Sequence, residues 1–331
     1  MSKKVFIGEK SSQLDYLLLP STLVRFLLWL LSVAAALALF GSLTLSAQRT
    51  AFESDAHDAI NHIREQLVIN DAALTSFASL LAGIGPNNLP AARQFTKSMR
   101  DAYPHIYMFE AMISVDPADK AQHQQHMREL GYQDYKITRY GSKKKLNMVD
   151  GRGMHFPIFF IDPFLESVKG VMGFDMLSVR TMREPLLASL ASGEVFASKP
   201  YKLREGGRGY TLIKVLNEYN KASPKKYLLE DSKDPGYVQG GMGVLLVIKT
   251  DTMIASVADI VPSARIRLLY GAERELAAEE ILPQGASEPI FEIDAFVEER
   301  DLGDLRQPFT LSIQQPGGLY AYDLQLMMLV L

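Results

Sequence analysis

The pattern of hydrophobic and polar positions changes period several times between His155 and Asn220. His155 to Ile161 is a run of aromatic and β-branched residues closed by Pro163, which is typical of a mostly buried strand. Thr181 to Ala191 spaces its apolar residues three or four positions apart, and Gly193 follows just past its end. This second pattern predicts a helix with a glycine C-cap.

Two further strands follow the predicted helix. Val195 to Lys202 and Tyr210 to Leu216 both favour extended structure, and the glycine-rich segment Glu205 to Gly209 predicts the turn between them. A sheet with one helix across its face encloses a small concave space. Because no pattern in this stretch is typical of catalysis, we interpret it as a binding pocket.

Ala51 to Ala82 carries the longest helical pattern outside the membrane-like segment described below. Its apolar residues follow a spacing of three to four, with Asn70 at one seam position; they are Ile60, Ile63, Leu67, Leu74, Phe77 and Leu81. One interpretation is a stalk helix that pairs with a second copy of the chain, Asn70 fixing the register. The alternative is a single amphipathic helix packed on its own domain.

The N-terminal region is typical of a membrane anchor. Phe26 to Ala47 is 22 residues without a charge, against the roughly 20 that span a bilayer core as a helix. Lysines and Arg25 precede this segment and acidic residues follow it, which predicts a cytoplasmic N-terminus. A cleaved signal peptide is the alternative, but its apolar core has only about 7–15 residues and ends in small residues. Here Leu45 occupies a position where a small residue is expected.

The pattern as a whole predicts an α+β protein with an N-terminal transmembrane helix, a long stalk helix, two tandem PAS-like subdomains and the start of a second transmembrane helix. The predicted segments are a cytoplasmic N-terminus at 1–25, a transmembrane helix at 26–47, stalk helices at 48–102, a membrane-distal subdomain at 103–220, a linker or insertion at 221–236, a membrane-proximal subdomain at 237–316 and the truncated second transmembrane helix at 317–331.

Composition excludes several classes of function. The net charge of −3 argues against a nucleic-acid partner, which needs a concentrated basic face. The chain has no cysteine, so it has neither a disulfide framework nor a thiolate site. We therefore expect no cofactor and no nucleic-acid partner.

Two local clusters have the spacing or the charge of a binding site. His123 and His126 lie three positions apart on a predicted helix with Glu129 three further on, a spacing that suits metal ligands. Their neighbours are glutamines, which is typical of a solvated face, so no metal site is predicted. The lysine run Lys143 to Lys145 resembles an anion site but is more typical of a hairpin tip.

The ordered motifs of the central stretch resemble the CHASE domain, an extracytoplasmic sensor module of histidine kinases, nucleotide cyclases and cyclic-di-GMP enzymes. The matching motifs are Phe156-Pro157-Ile158, Asp175, a helix opening at Arg183, and Ser198 to Leu203. The resemblance covers roughly Tyr103 to Asn220. One departure is Val215-Leu216-Asn217, where the family usually has Pro-Val-Tyr.

The resemblance also implies a ligand-binding set, which comprises Phe159, Asp175, Met182, Ser198, Tyr201, Arg204, Ile213 and Lys214. In the plant cytokinin-receptor branch of the family a pocket Asp holds the adenine ring, but that position falls here at Met182. A thioether cannot accept the paired hydrogen bonds of a purine edge, so cytokinin binding is not expected. Arg204 and Lys214, placed on adjacent strands, predict a preference for an anionic ligand such as a small carboxylate.

The leading interpretation is therefore a sensory input module with a small-molecule ligand, anchored in the bacterial inner membrane with its sensor domain in the periplasm. We expect a homodimer through the stalk helix and a cytoplasmic output domain, either a cyclic-di-GMP enzyme or a histidine kinase, beyond this segment. The segment itself is not predicted to be an enzyme. Two alternatives remain at this stage: a membrane-anchored scaffold without a small-molecule ligand, and an anchored periplasmic hydrolase.

Overall fold

The computed structural model describes residues 15–85, 88–140, 146–148, 153–216, 226–228, 237–239, 241–283, 289, 291–303 and 306–330. By compactness the chain forms two units. The larger unit holds residues 55–284 and 297–314, and the smaller unit holds residues 1–54, 285–296 and 315–331. The predicted cytoplasmic N-terminus up to residue 14, the lysine run 143–145 and most of the predicted linker lie outside the described residues.

Helix α1 runs without a break from Asp15 to Ile84. It joins the predicted transmembrane segment and most of the predicted stalk in one element, and its apolar part is long enough to cross a membrane. Gly85, with a φ of 72°, ends the helix because this left-handed conformation suits a residue without Cβ. Helix α2 (Leu89–Ala102) then begins with Pro90 in its first turn.

The remaining elements follow in chain order. They are β1 (Ile106–Ile113), α3 (Lys120–Glu129), β2 (Thr138–Tyr140), β3 (Leu146–Met148), β4 (Ile158–Asp162), α4 (Arg180–Ser192), β5 (Phe196–Ala197), β6 (Tyr201–Lys202), β7 (Arg208–Leu216), β8 (Lys226–Leu228), β9 (Tyr237–Gln239), β10 (Met242–Lys249), α5 (Thr250–Ala255), β11 (Arg265–Tyr270), β12 (Glu275–Leu276), β13 (Phe291–Asp301), β14 (Phe309–Leu319) and α6 (Ala321–Val330). The mixture of helices with antiparallel sheets confirms the predicted α+β class. Pro200 lies between β5 and β6, so the strand predicted at 195–202 is interrupted.

The first sheet has the strand order β4-β1-β10-β7-β5, with β6 also paired to β7. Strand β10 was expected in the membrane-proximal subdomain, but it lies at the centre of this sheet, antiparallel to both β1 and β7. The physical reason is its composition. Seven of its eight residues are buried and apolar side chains occur on both of its faces, which requires a strand covered from both sides.

The second sheet has the order β12-β11-β14-β13. Within the larger unit it interlocks with the first sheet: the rings of Tyr210 and Phe309 lie 4.7 Å apart, and the backbone amide of Ala197 donates to the carbonyl of Arg306. The two sheets on either side of the boundary expected at 221–236 are therefore in contact with each other.

The apolar stripe of α1 is covered within the larger unit. The six seam residues named above are at most 4 % exposed, and the ring of Phe77 packs against Phe95, Phe109 and Phe160. A homodimer cannot use this stripe, because the first sheet and α2 already cover it; the homodimer itself stays a prediction. The structure agrees with the alternative interpretation, an amphipathic helix packed on its own domain.

In the smaller unit, Phe52 of α1 packs against Phe296 with ring centroids 5.9 Å apart. Helix α6 begins at Ala321 rather than at residue 317, because β14 continues to Leu319. Asp323 caps its start by accepting from the backbone amide of Tyr320 at 2.9 Å. The ten residues of α6 are fewer than the roughly 20 that span a bilayer, so the second transmembrane helix stays a prediction.

Candidate functional site

The two faces of the first sheet differ in what covers them. Phe109 of β1 and Phe160 of β4 point to α1, where both meet Phe77. Side chains alternate along a strand, so Glu110 and Ile161 point to the opposite face. The cross-strand register extends this second set as one row, Ile161–Glu110–Leu245–Ile213, across β4, β1, β10 and β7. We call the first face the helix face and the second the Glu110 face.

A buried polar network lies on the helix face. The side-chain amide of Asn70 donates to the hydroxyl of Tyr210 at 3.2 Å, and its carbonyl lies 2.9 Å from Nε2 of His105. Tyr210 in turn donates to the amide oxygen of Gln307 at 3.1 Å. Burial, and secondarily the charge of His62, lower the pKa of His105 to about 4, so this imidazole is neutral at physiological pH. The network joins α1, β7 and the segment before β14.

The Glu110 face carries a second polar cluster. Glu110 is only 8 % exposed, and burial raises the pKa of its carboxyl to about 7. The hydroxyls of Tyr201 and Thr211 lie 2.7 Å apart on the same face. Burial of Tyr201 raises the pKa of its hydroxyl; the Thr211 contact opposes this rise, and the charges of Glu110 and Glu205 add to it. Tyr201 and Thr211 therefore add a pair of hydroxyls to the face that carries Glu110.

At the edge of this cluster, one cation is already engaged. The ammonium of Lys249 lies 4.2 Å from the ring centroid of Tyr107, a cation–π contact. Burial and the neighbouring Glu205 carboxylate raise the pKa of the Tyr107 hydroxyl to about 12. Burial opposes ionisation of Glu205, but hydrogen bonds, including one from Ser167 at 2.7 Å, and the charge of Lys249 together lower its pKa. The charge of Lys249 is thus one of several influences that favour the ionised form of Glu205.

Helix α4 packs on β7. Its Ser189 hydroxyl accepts from the backbone amide of Val215 at 2.8 Å and donates to the carbonyl of Glu194 at 2.7 Å. Met182, in the first turn of the same helix, is 6 % exposed. The helix ends as predicted at Gly193, which has a φ of 75°.

Two of the eight expected ligand-binding residues lie on the Glu110 face. Ile213 belongs to the cross-strand row of Glu110, and Tyr201 contacts Thr211 on the same face. Phe159 lies where the register between β1 and β4 shifts, so alternation does not assign its face, and Met182 lies in α4. The Glu110 face, with Tyr201 and Ile213, is the candidate site.

Two other expected residues hold the fold. Asp175 accepts from the backbone amides of Phe156 and Leu177 and from Nδ1 of His155, which leaves little of its carboxylate for a ligand. The hydroxyl of Ser198 accepts from the amide of Thr211 at 3.0 Å and thereby ties the chain after β5 to β7.

The expected cation pair is wrong. Lys202 pairs with Arg208, so Arg204 lies in the turn between β6 and β7, exposed, with its guanidinium donating to the carbonyl of Ser167 at 2.7 Å. Lys214 pairs with Val244, and alternation along β7 places it on the helix face with Tyr210. The two cations therefore cannot share one carboxylate of a ligand.

Sequence reasoning missed Glu110, the most unusual residue of the site. The available signal was one acidic residue inside the strand IYMFEAMI, whose other seven residues carry no charge. The histidine cluster has a different explanation from metal binding, because Nε2 of His123 lies 3.0 Å from the hydroxyl of Tyr135. Among the residues that the structure describes, no three His, Asp or Glu side chains are placed to hold a metal ion.

Residues 92–276 match the family model of the CHASE domain. No sequence among the curated proteins matches. Similar solved structures include an extracellular ligand binding receptor from Desulfohalobium retbaense DSM5692, at 13 % identity and a TM-score of 0.40 over 78 % of this chain and 39 % of the other. This chain thus spans about two fifths of that receptor.

A second solved structure is the extracellular domain of a protein described as a histidine kinase, mmHK1S-Z3. It is 11 % identical with a TM-score of 0.38, over 85 % of this chain and 98 % of the other. The family model covers more than half of this chain, from α2 through both strands that flank Glu110 to β12. The chain therefore belongs to the CHASE domain family, whose members are extracellular sensory modules of membrane receptors.

Proposed function

We propose that this chain is the periplasmic input module of a bacterial inner-membrane receptor, that it binds a small molecule on the Glu110 face, and that it passes the binding event through α1 to a cytoplasmic output domain. In this proposal residues 1–25 are cytoplasmic and residues 26–47 cross the membrane. The output domain is a cyclic-di-GMP enzyme or a histidine kinase.

The observation that carries the proposal is the continuity of α1. One unbroken helix contains a segment apolar enough to cross a membrane and, further along, a stripe that is fully buried against the first sheet. In this proposal α1 carries the signal, because each of its turns is held by hydrogen bonds to the next. Any ligand that favours one position of the sheet over another therefore acts on the membrane segment as well.

The strand β7 supplies a direct route between the two faces. Its consecutive residues Tyr210 and Thr211 point in opposite directions, the first to Asn70 of α1 and the second to Tyr201 on the Glu110 face. A shift of β7 on ligand binding changes both contacts together. Phe159, Met182, Tyr201 and Ile213 are the residues that we propose to contact the ligand.

Thermal unfolding of the full chain in lipid nanodiscs tests this function. A library of amino acids, amines, organic acids, sugars and nucleobases is screened for compounds that raise the melting temperature, since a ligand that binds only the folded state stabilises it. We expect Tyr201→Phe and Met182→Ala to reduce the shift. Lys214→Ala, on the opposite face of the same sheet, is the matched control and should keep it.

Two results would contradict the proposal. If no compound of the library stabilised the chain, ligand sensing would lose its support. If a compound stabilised wild type and all the Glu110-face variants equally, binding would occur elsewhere on the molecule.

A further inference from the structure

The carboxylate of Glu110 is exceptional among the buried acids of the described residues. Asp162 is held by Arg93, Arg100 and Thr96, and Asp175 and Asp323 accept from backbone amides. Within the described part of the chain, no group donates a hydrogen bond to Glu110 and no cation pairs with it. A buried carboxylate without a partner is among the costliest groups that a fold can keep.

Its position excludes an accidental surface placement. Glu110 lies on β1, the second strand of a five-strand path, with neighbours paired on both sides: Ile161 of β4 and Leu245 of β10. Pairing on both sides fixes the backbone there, so the Glu110 side chain projects from one face of the sheet, where it is 8 % exposed. A leucine or methionine at this position would avoid the cost, so the carboxylate points to a function other than stability.

The surroundings of Glu110 favour a positive partner. The Tyr201–Thr211 hydroxyl pair offers lone pairs on the same face, and the carboxylates of Glu110 and Glu205 both act on Tyr201. Lys249, on a neighbouring strand, lies over the ring of Tyr107. The cations once expected to attract an anion, Arg204 and Lys214, lie in a turn and on the helix face.

We propose that Glu110 recognises a protonated amine on the small ligand, with the Tyr201–Thr211 hydroxyl pair on the same face of the sheet. This inference rests on the proposed function, because it specifies the ligand class of the same site. A charge-assisted hydrogen bond from an ammonium group to a carboxylate removed from water is among the stronger polar contacts in proteins. The amine supplies the partner that the described part of the chain does not.

The test compares an amine, an alcohol and a carboxylate in each of two sets. The aromatic set is tyramine, tyrosol and 4-hydroxyphenylacetate, and the aliphatic set is butylamine, butanol and butyrate. Each set differs only in an ammonium, hydroxyl or carboxylate group. The melting temperature and the affinity of the full chain in nanodiscs are measured with each compound. We expect at least one amine to stabilise the chain and its neutral and acidic counterparts to leave it unchanged.

Variants then assign the effect to one residue. Glu110→Gln keeps the size and removes the charge, and should weaken amine binding by about 10- to 100-fold. Glu110→Met is a second variant of similar volume. It is needed if the buried amide of the glutamine in Glu110→Gln perturbs folding. Glu273→Gln makes the same change of charge at an exposed position and should bind the amine as wild type does.

The outcomes separate this inference from the proposed function. Stabilisation by the alcohols or carboxylates alone, or amine binding that survives in both Glu110 variants, overturns the amine inference and leaves a ligand-binding sensor standing. If no amine stabilises the chain, while other compounds of the wider library bind through Tyr201 and Met182, the amine inference is likewise overturned and the ligand-binding sensor stands. Failure of every compound in both screens contradicts the inference and the function together.

Discussion

The amide of Asn70 donates to the hydroxyl of Tyr210 across 3.2 Å, inside an otherwise apolar contact between a membrane-type helix and a sheet. Both residues are fully buried, and both have a second polar partner, His105 for Asn70 and Gln307 for Tyr210. The bond fixes the position of α1 along β7. A slip of one residue would leave several buried polar atoms without partners.

The first prediction concerns this bond. Asn70→Ala should lower the free energy of unfolding by about 1–3 kcal/mol, because it removes a partner from His105 and from Tyr210 in a buried setting. Asn61→Ala, half-buried on the same helix, makes the same change in helix propensity and should cost much less. Denaturant unfolding measures both.

A double-mutant cycle completes the test. Asn70→Ala and Tyr210→Phe together should cost less than their sum, by about 0.5–3 kcal/mol, since each single change already breaks the shared bond. Simple additivity would mean that the two residues contribute independently and that the bond does not couple the helix to β7.

The second prediction concerns the clamp between α2 and β4. Asp162 accepts from the hydroxyl of Thr96 at 2.7 Å and from the guanidinium of Arg100 at 2.9 Å. Asp162→Asn should cost about 1.5–3 kcal/mol, because hydrogen bonds to charged groups are lost in a buried site. Asp101→Asn breaks only an exposed contact with Lys97 one helical turn away and should cost no more than about 0.5 kcal/mol. Equal losses in the two variants would contradict the account.

Much of this arrangement is encoded in local sequence, but the partners of each element are not. The spacing of Ile60 to Leu81 indicates one apolar stripe, and the structure has it. The stripe itself cannot show whether a second chain or the chain's own sheet covers it, because both bury the same residues. Only the position of β10, which returns to the first sheet after a long excursion, completes the surface that α1 covers.

The candidate site was predictable only in part, for a related reason. Tyr201 and Ile213 lie on one face of the first sheet, and the ligand contacts of Phe159 and Met182 stay predictions. Arg204 and Lys214 do not lie side by side as expected. Their pairing depended on an assumed register, and the hairpin closes at Lys202 and Arg208 instead, which puts Arg204 into the turn. A change of register by one residue moves a side chain to the other face, so register is the part that pattern alone leaves open.

The third prediction concerns pH. The unfolded chain releases the Glu110 proton near the ordinary pKa of 4.5, whereas burial raises the pKa of the folded chain to about 7. Between these values the unfolded state binds fewer protons, so this group lowers the stability of the fold as the pH rises through the window. Above about pH 7 the carboxyl is ionised in both states, and the fold keeps the full loss of stability that comes from the buried charge.

Glu110→Gln removes that titration. The free energy of unfolding of the variant relative to wild type should therefore rise by about 3 kcal/mol between about pH 4 and about pH 8. His105 and His123, whose pKa values burial lowers to about 4, titrate in both proteins and cancel from the difference. A difference that stays constant with pH would mean that Glu110 is ionised and paired in the folded chain.

The central claim is that the larger unit senses the outside of the cell from a chain anchored through α1. The natural chain has no cysteine, so single cysteines report topology without interference. Two single-cysteine variants are expressed in bacterial cells: Glu273→Cys, at an exposed position of the larger unit, and Ser11→Cys, in the proposed cytoplasmic segment. The cells are treated with a maleimide that passes their permeable outer membrane but does not cross the inner membrane. The account predicts that Glu273→Cys is labelled in intact cells and that Ser11→Cys is labelled only after lysis. Labelling of Ser11→Cys in intact cells, with Glu273→Cys protected until lysis, would contradict it.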